Sequence, residues 1–347
     1  MAIAAGFQDA KVVYGYLRAT MDSQDDQYDD DSLTLIQNHA WCCVKVEGEY
    51  RFVDCWLASP SQPQNHNKIE THWFLTKPKD MIFTHYPQEY EDQFLEPRIN
   101  LSTFFALPYV WSSFFLHHIQ FIRYDPFAIS MVDDQVCHLS FRVDFNVICY
   151  AYVEVDYRQN NNNNSNINNG MIRALAQCRT ITLENGESER IYKIKAVLPA
   201  GYSHGWLKIY TNNTKSSTAS MPLSLALCFQ LTHHQHYHST SSSDNMKSSF
   251  EFVQLHPCKY EFYVQEPQCY HLYPLQTYNF LIRGGDTHHK LAIRSPSGKL
   301  YKLMSYPQEH SYDGSITISE IGKWSLIYLL HHAGGWSLIA TWECKGQ

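Results

Sequence analysis

The spacing of apolar and polar residues changes character near residue 120. Before that point, short β-type runs alternate with brief helical pieces. Lys11–Arg18 and the two runs flanking Glu47-Gly48 are rich in Val, Tyr and Phe, which suits strands. Thr71–Leu75 reads as a buried strand, with His72 and Trp73 packed inside. Pro78 suits the first turn of a short helix leading toward His85. Asn100–Pro108 reads as another helical piece, with Ser102 as its cap. The cluster Phe104, Phe105, Leu107, Trp111, Phe114 and Phe115 reads as an internal interface toward the following region.

From about 120 the pattern becomes a succession of short strands separated by turn residues. The runs are 137–146, 147–155, 179–183, 190–198, 205–211 and 224–231, then 260–264, 277–283, 290–293, 300–303, 315–318, 322–330 and 335–343. Antiparallel β-sandwiches are the natural reading. Ser295-Pro-Ser-Gly298 is a good hairpin turn, and the runs starting at Gly322 and Gly335 read as the last strand pair. Three segments lack apolar periodicity: the acidic run Asp22–Asp31, the asparagine run Asn160–Asn169 and the His/Ser-rich run His233–Ser243. They are expected to be mobile loops. Neither the acidic run nor the histidines present a closed ligand set, so no metal and no cofactor is expected.

The densest chemistry lies around the first turn. If Glu47 and Gly48 are the two central residues of a hairpin, Val46 pairs with Glu49, and counting outward sets Trp41 opposite Asp54. With a period of two, His39, Trp41, Cys43, Phe52, Asp54 and Trp56 share one face. The count predicts a His39–Asp54 pair, the base and orienter of a nucleophilic triad, with Trp41 and Trp56 shaping a groove. A buried histidine satisfied by a carboxylate is the plainer alternative. Cys42 and Cys55 fall on the other face. Cys43 shares the face, but four strand residues separate it from His39, about 13 Å at roughly 3.3 Å per residue. All three cysteines are therefore expected in the core.

The run His39-Ala-Trp41, a strand, a Gly turn and Val53-Asp-Cys-Trp56 resembles the transglutaminase-like fold of papain-type Cys-His-Asp enzymes. Asp54–Pro60, Glu70–Pro78 and Ile82–Pro87 are similar to blocks of the kyphoscoliosis-peptidase family, in particular its fungal cytokinesis branch. The resemblance implies a strand-rich α+β chain: a truncated transglutaminase-like core followed by two β-sandwich regions. The expected segments are a partial transglutaminase-like domain at 1–118, a sandwich at 119–231 with the Asn-rich insertion, a linker at 232–249 and a final sandwich at 250–347. In that fold the nucleophilic cysteine opens a helix that precedes the first strand. Ala4-Ala5-Gly6 looks like the end of such a helix, so the nucleophile is expected to be missing here. The resemblance then implies a non-catalytic adaptor in actomyosin-ring and septum assembly, cytoplasmic and at the division site, with protein partners. The alternative it leaves open is a cysteine peptidase or transglutaminase whose nucleophile lies upstream of Met1.

Composition narrows the function classes. The 347 residues carry a formal charge of -7, which disfavours a general nucleic-acid-binding role. No apolar run reaches membrane-spanning length, the best being Phe104–Leu116, interrupted by Pro108. The N-terminus lacks the charged start and apolar core of a signal peptide. The ten cysteines form no Cys-x-x-Cys pair and are expected to be reduced thiols.

Overall fold

The computed structural model describes residues 3, 6, 9–18, 36–62, 67–123, 130–131, 136–155, 171–199, 202, 204–213, 223–233, 250–284, 289–329 and 335–346. The acidic run, the asparagine run and residues 234–243 of the His/Ser-rich run lie outside the described residues. The chain divides into two compact units: residues 1–119 with 224–229, and residues 120–223 with 230–347.

The first unit is built on a five-stranded sheet of β1 (Ala10–Leu17), β2 (His39–Val46), β3 (Glu49–Val53), β4 (Phe74–Thr76) and β5 (His85–Pro87), in the order β4-β3-β2-β1-β5. The β2–β3 hairpin turns at Glu47-Gly48, whose φ angles of 51° and 85° are the left-handed pair a tight two-residue turn requires. Its register runs from Val46↔Glu49 to Cys42↔Val53, as counted from the sequence. Short helices close the unit: α1 (Cys55–Ala58), α2 (Pro78–Met81), α3 (Leu101–Ala106) and α4 (Ser112–Leu116). Helix α2 starts with Pro78 at its first position, as expected. Helix α3 is capped by Asn100 rather than Ser102: Asn100 Oδ1 accepts from Thr103 N, and Ser102 donates its hydroxyl to the same oxygen. Thr71–Leu75 also differs from its reading, because Thr71–Trp73 forms a 3₁₀ turn that feeds the short strand β4.

One face of the sheet is buried over Val13, Trp41, Cys43 and Phe52, joined by Leu57, Trp73 and Met81. Phe104 is fully buried against Tyr16 and Tyr86, and Phe114 packs on Phe83. Strand β1 passes closest to its neighbours at Gly15. A Cβ there would collide with Tyr86 O and lie 2.7 Å from Trp41 Cη2 and 2.8 Å from Pro87 Cα. The backbone atoms cannot yield cheaply, so Gly15→Ala is expected to cost about 2 kcal/mol or more. Urea denaturation followed by tryptophan fluorescence and circular dichroism checks it, and a loss below about 0.5 kcal/mol would show that the strand can shift.

In the second unit, the strands 175–182, 188–196, 137–144 and 120–123 form one antiparallel sheet in that order, and 171–173, 147–154 and 204–213 lie side by side in another. Alternate residues of Val147–Glu154 are buried, the period-two signature that the sequence displayed. Residues 250–346 supply two further sheets, which enclose Phe280, Trp324, Leu326 and Trp342. Gly322–Leu329 pairs with Trp336–Cys344 as read from the sequence. Polar bridges join the 137–213 and 250–346 portions. The buried Gln177 amide accepts from Val264 N at 2.7 Å and donates to Val264 O at 3.1 Å. Glu261 accepts from Thr180 N, Thr180 Oγ1 and Arg190 Nε.

Candidate functional site

Three elements of the first unit bring their polar groups to one point. Strand β2 begins with His39, and its backbone pairs with Gly15 of β1. On the other side of β1, Leu17 pairs with His85 of β5. Gly15 and Leu17 lie on the same face of β1, so the two imidazoles converge across a strand that has no side chain between them at Gly15. Asp54 follows β3 as the N-cap of α1, its Oδ1 accepting from Leu57 N at 2.9 Å, while its own N–H donates to Trp73 O at 3.0 Å. The sequence count treated Asp54 as a strand residue, but Asp before Cys-Trp-Leu-Ala is a good helix start.

Asp54 Oδ2 sits 2.6 Å from His39 Nε2 and 3.0 Å from His85 Nε2. The carboxylate is 1% exposed. Burial alone would raise its pKa, but hydrogen bonds from His39, His85 and Leu57 N outweigh it and hold the acid below the usual carboxylate range. An ionised carboxylate requires both imidazoles to donate from Nε2. His85 Nδ1 is then an acceptor and lies 2.7 Å from the Thr84 hydroxyl, which also lies 3.2 Å from Met81 O. Burial pushes the pKa of His85 down, against the opposing pull of Asp54, so it stays neutral. His39 is the solvent-facing member, with its side chain 12% exposed. Its Nδ1 is the nitrogen left to face a reacting group.

The structure brings His39 and Asp54 together and adds His85, to which the sequence alone assigns no chemical role. It does not place Trp41 in a groove. Trp41 is 3% exposed and fills the core above Gly15, with the His85 ring at 4.8 Å. Trp56 is 54% exposed, its ring 5.5 Å from that of His39. It arrives there on α1 and not as a strand residue. Cys42 and Cys55, expected in the core, are exposed: Cys42 lies on the outer face of the hairpin, and Cys55 is the first residue of α1. Cys43 is buried, and burial pushes its thiol up to about 12. Among the described residues no thiol is hydrogen-bonded to His39. None of the ten cysteines forms a disulfide. His72 packs as expected, stacked on Phe115 at 3.9 Å.

The ligand atoms of His39, Asp54 and His85 lie within 4.8 Å of one another, and two imidazoles with one carboxylate can hold a divalent cation. Here both imidazoles point N–H groups at a single oxygen, so a cation would have to displace those protons and widen the set. The chemistry that the arrangement supports directly is that of an oriented base. Asp54 fixes the tautomer and aim of His39, and His85 fixes Asp54.

Comparison with known proteins adds a direction. Residues 255–344 match the CYK3 C-terminal Ig-like domain. Over 96% of its length the chain is 28% identical to cytokinesis protein 3 of Schizosaccharomyces pombe. Over 88% it is 31% identical to Cytokinesis protein 3 of Saccharomyces cerevisiae. The chain spans only 37% and 36% of the lengths of those two proteins. A shorter match, 34% identical over 110 residues, links 28% of the chain to 13% of Hillarin from Drosophila melanogaster. Among solved structures, a Bacteroides ovatus mixed-linkage glucan utilization protein, SGBP-B, covers 64% of this chain and 44% of its own at 10% identity and a TM-score of 0.17, a likeness that carries no argument. No helix among the described residues is long and apolar enough to cross a membrane.

Proposed function

We propose that this chain acts in fungal cytokinesis as a non-catalytic adaptor at the division site, binding protein partners there. The observation that carries this reading is the continuous similarity to two yeast cytokinesis proteins, 28% and 31% identical over nearly the whole chain. The match of 255–344 to the CYK3 C-terminal Ig-like domain supports it independently. In this reading residues 1–118 are a partial transglutaminase-like domain, and 119–231 and 250–347 are sandwiches joined by a linker at 232–249. The His39–Asp54–His85 cluster is the orienting half of a triad, retained to shape a surface with Trp56 beside it. The outward face of β1 exposes Val12 and Tyr14 by about half, which suits a binding role.

Attack on an amide needs a thiolate within about 3 Å of its base. The one thiol that shares the His39 face, Cys43, is buried and holds its proton far above neutral pH. The purified chain is therefore expected to show neither peptide hydrolysis nor amine incorporation above an Asp54→Ala control. Turnover that disappears with Cys43→Ser would make this an enzyme after all. The cellular test replaces the matching stretch of the Saccharomyces cerevisiae protein with residues 1–347 and follows a fluorescent fusion through division. Accumulation at the division site and completed septation are expected; a stable, expressed fusion that never concentrates there overturns the proposal.

A further inference from the structure

The C-terminal portion carries a recess of ≈ 480 Å³ that the cluster in the first unit does not use. Its floor is a row of directly paired residues across four strands. Gln254 lies opposite Thr341, Thr341 opposite Ser325, and Ser325 opposite Arg294. Directly opposed residues of antiparallel strands put their side chains on one face, about 5 Å apart. Lys323, two positions before Ser325, shares that face. His256 closes one wall with its Nε2 2.8 Å from Thr341 Oγ1, and the Ser295–Gly298 turn forms the lip.

The charge in this recess runs against that of the chain. Arg294 and Lys323 are exposed, and neither forms a salt bridge among the described residues. Among the described residues no carboxylate lines the recess. Glu320 lies beside the lip, but its oxygens are taken by the hydroxyls of Ser295 and Ser297 and by Ser297 N. Glu343 lies directly opposite Lys323 on the same face, without lining the recess. Burial, then the nearby Arg173 and Lys323, push the pKa of His256 down, a sign of local positive potential. A guanidinium, an ammonium, two hydroxyls and an amide therefore converge in a chain of net charge -7.

We propose that this recess binds the phosphate monoester of a phosphorylated serine or threonine on a partner protein. Arg294 presents a fork that fits two phosphate oxygens, and Lys323 supplies a compact second charge. Ser325, Thr341 and Gln254 offer uncharged donors to the remaining oxygen. A phosphomonoester brings roughly two negative charges, matching Arg294 and Lys323. An anionic membrane or a nucleic acid requires a broader field of cations, and the net negative charge of the chain opposes both. The inference goes beyond the division-site reading and rests on the recess alone, so either can fail without the other.

The test uses the full chain and a short capped peptide with one central phosphoserine flanked by alanines. Binding is followed by titration calorimetry and by amide NMR shifts at Arg294, Ser325 and Thr341. The phosphopeptide is expected to bind at least about tenfold more tightly than its unphosphorylated form, as one charge-assisted hydrogen bond suffices to give. Inorganic phosphate should compete for the same amides. Arg294→Met with Lys323→Met, both at exposed positions and checked for an unchanged circular dichroism spectrum, should bring binding to the unphosphorylated level. Equal affinity for the two peptides, or full binding by the double variant, overturns the proposal. So does binding to phosphatidylcholine–phosphatidylserine vesicles without binding to the phosphopeptide.

Discussion

Asp54→Ala is expected to remove on the order of 3–5 kcal/mol from the stability of the first unit, the range for breaking a buried charged network by deleting one partner. Three donors lose their acceptor at once: His39 Nε2, His85 Nε2 and Leu57 N. The His85 donor is the most costly, because its ring is entirely enclosed and no water can replace the carboxylate. Losing the cap of α1 contributes about 1 kcal/mol of the total. Asp54→Asn should cost less, since its amide oxygen can still cap Leu57 N and its amide nitrogen can face a histidine in the other tautomer. Urea midpoints for the two variants against the parent give the comparison. If Asp54→Ala loses less than about 1 kcal/mol, the cluster is not a linchpin of the fold and its upkeep needs another explanation.

The second large effect is expected in acid. Burial, then repulsion from His85, lowers the pKa of His72 to about 4, and burial also lowers that of His85. In the unfolded chain both would titrate near 6.5. A depressed folded pKa means that the unfolded state binds more protons, so stability is complete above about pH 6.5 and falls as the pH drops toward 4. His72 alone accounts for about 3 kcal/mol over that window. Asp54, also depressed, adds a further loss only below about pH 4, where the unfolded carboxyl takes its proton. His72→Phe should flatten the first part of the curve while preserving the stack on Phe115. Its Nε2 is buried without a hydrogen-bond partner, so the change should not cost stability at pH 7. A pH series of urea melts decides it. An unaltered slope between pH 6.5 and 4 in His72→Phe would remove His72 as the cause.

Local signals and distant ones fared differently in the sequence. Glu47-Gly48 demands positive φ, so the hairpin and its register could be counted from that turn, and His39 met Asp54 as a consequence. The strands of the second unit were legible because turn residues punctuate them; where they were not, as at Leu175–Thr182, the strand began four residues before the expected 179. His85 was not legible as a site residue. It reaches Asp54 through the pairing of β5 with β1, 31 residues along the chain, and no local pattern encodes that pairing. Trp41 has the alternation of a groove residue, yet Gly15 leaves a space beneath it that only the folded sheet reveals. Asp54 belonged to two patterns, a strand end and a helix cap, and the cap prevailed because Leu57 N needed an acceptor.

The strand Ser224–His233 begins in the first unit, where Leu227 and Cys228 pair with Val110 and Tyr109 and Ala226 O accepts from Trp111 N. The first unit thus depends on residues translated long after Ile119. At roughly 5–20 residues per second, the ribosome needs about 5–20 s to deliver the missing stretch. During that interval the edge at Tyr109-Val110 waits unpaired beside the aromatic residues of α3 and α4. A nascent chain of this protein therefore completes the first unit only once the stretch Ser224–Phe229 has been made.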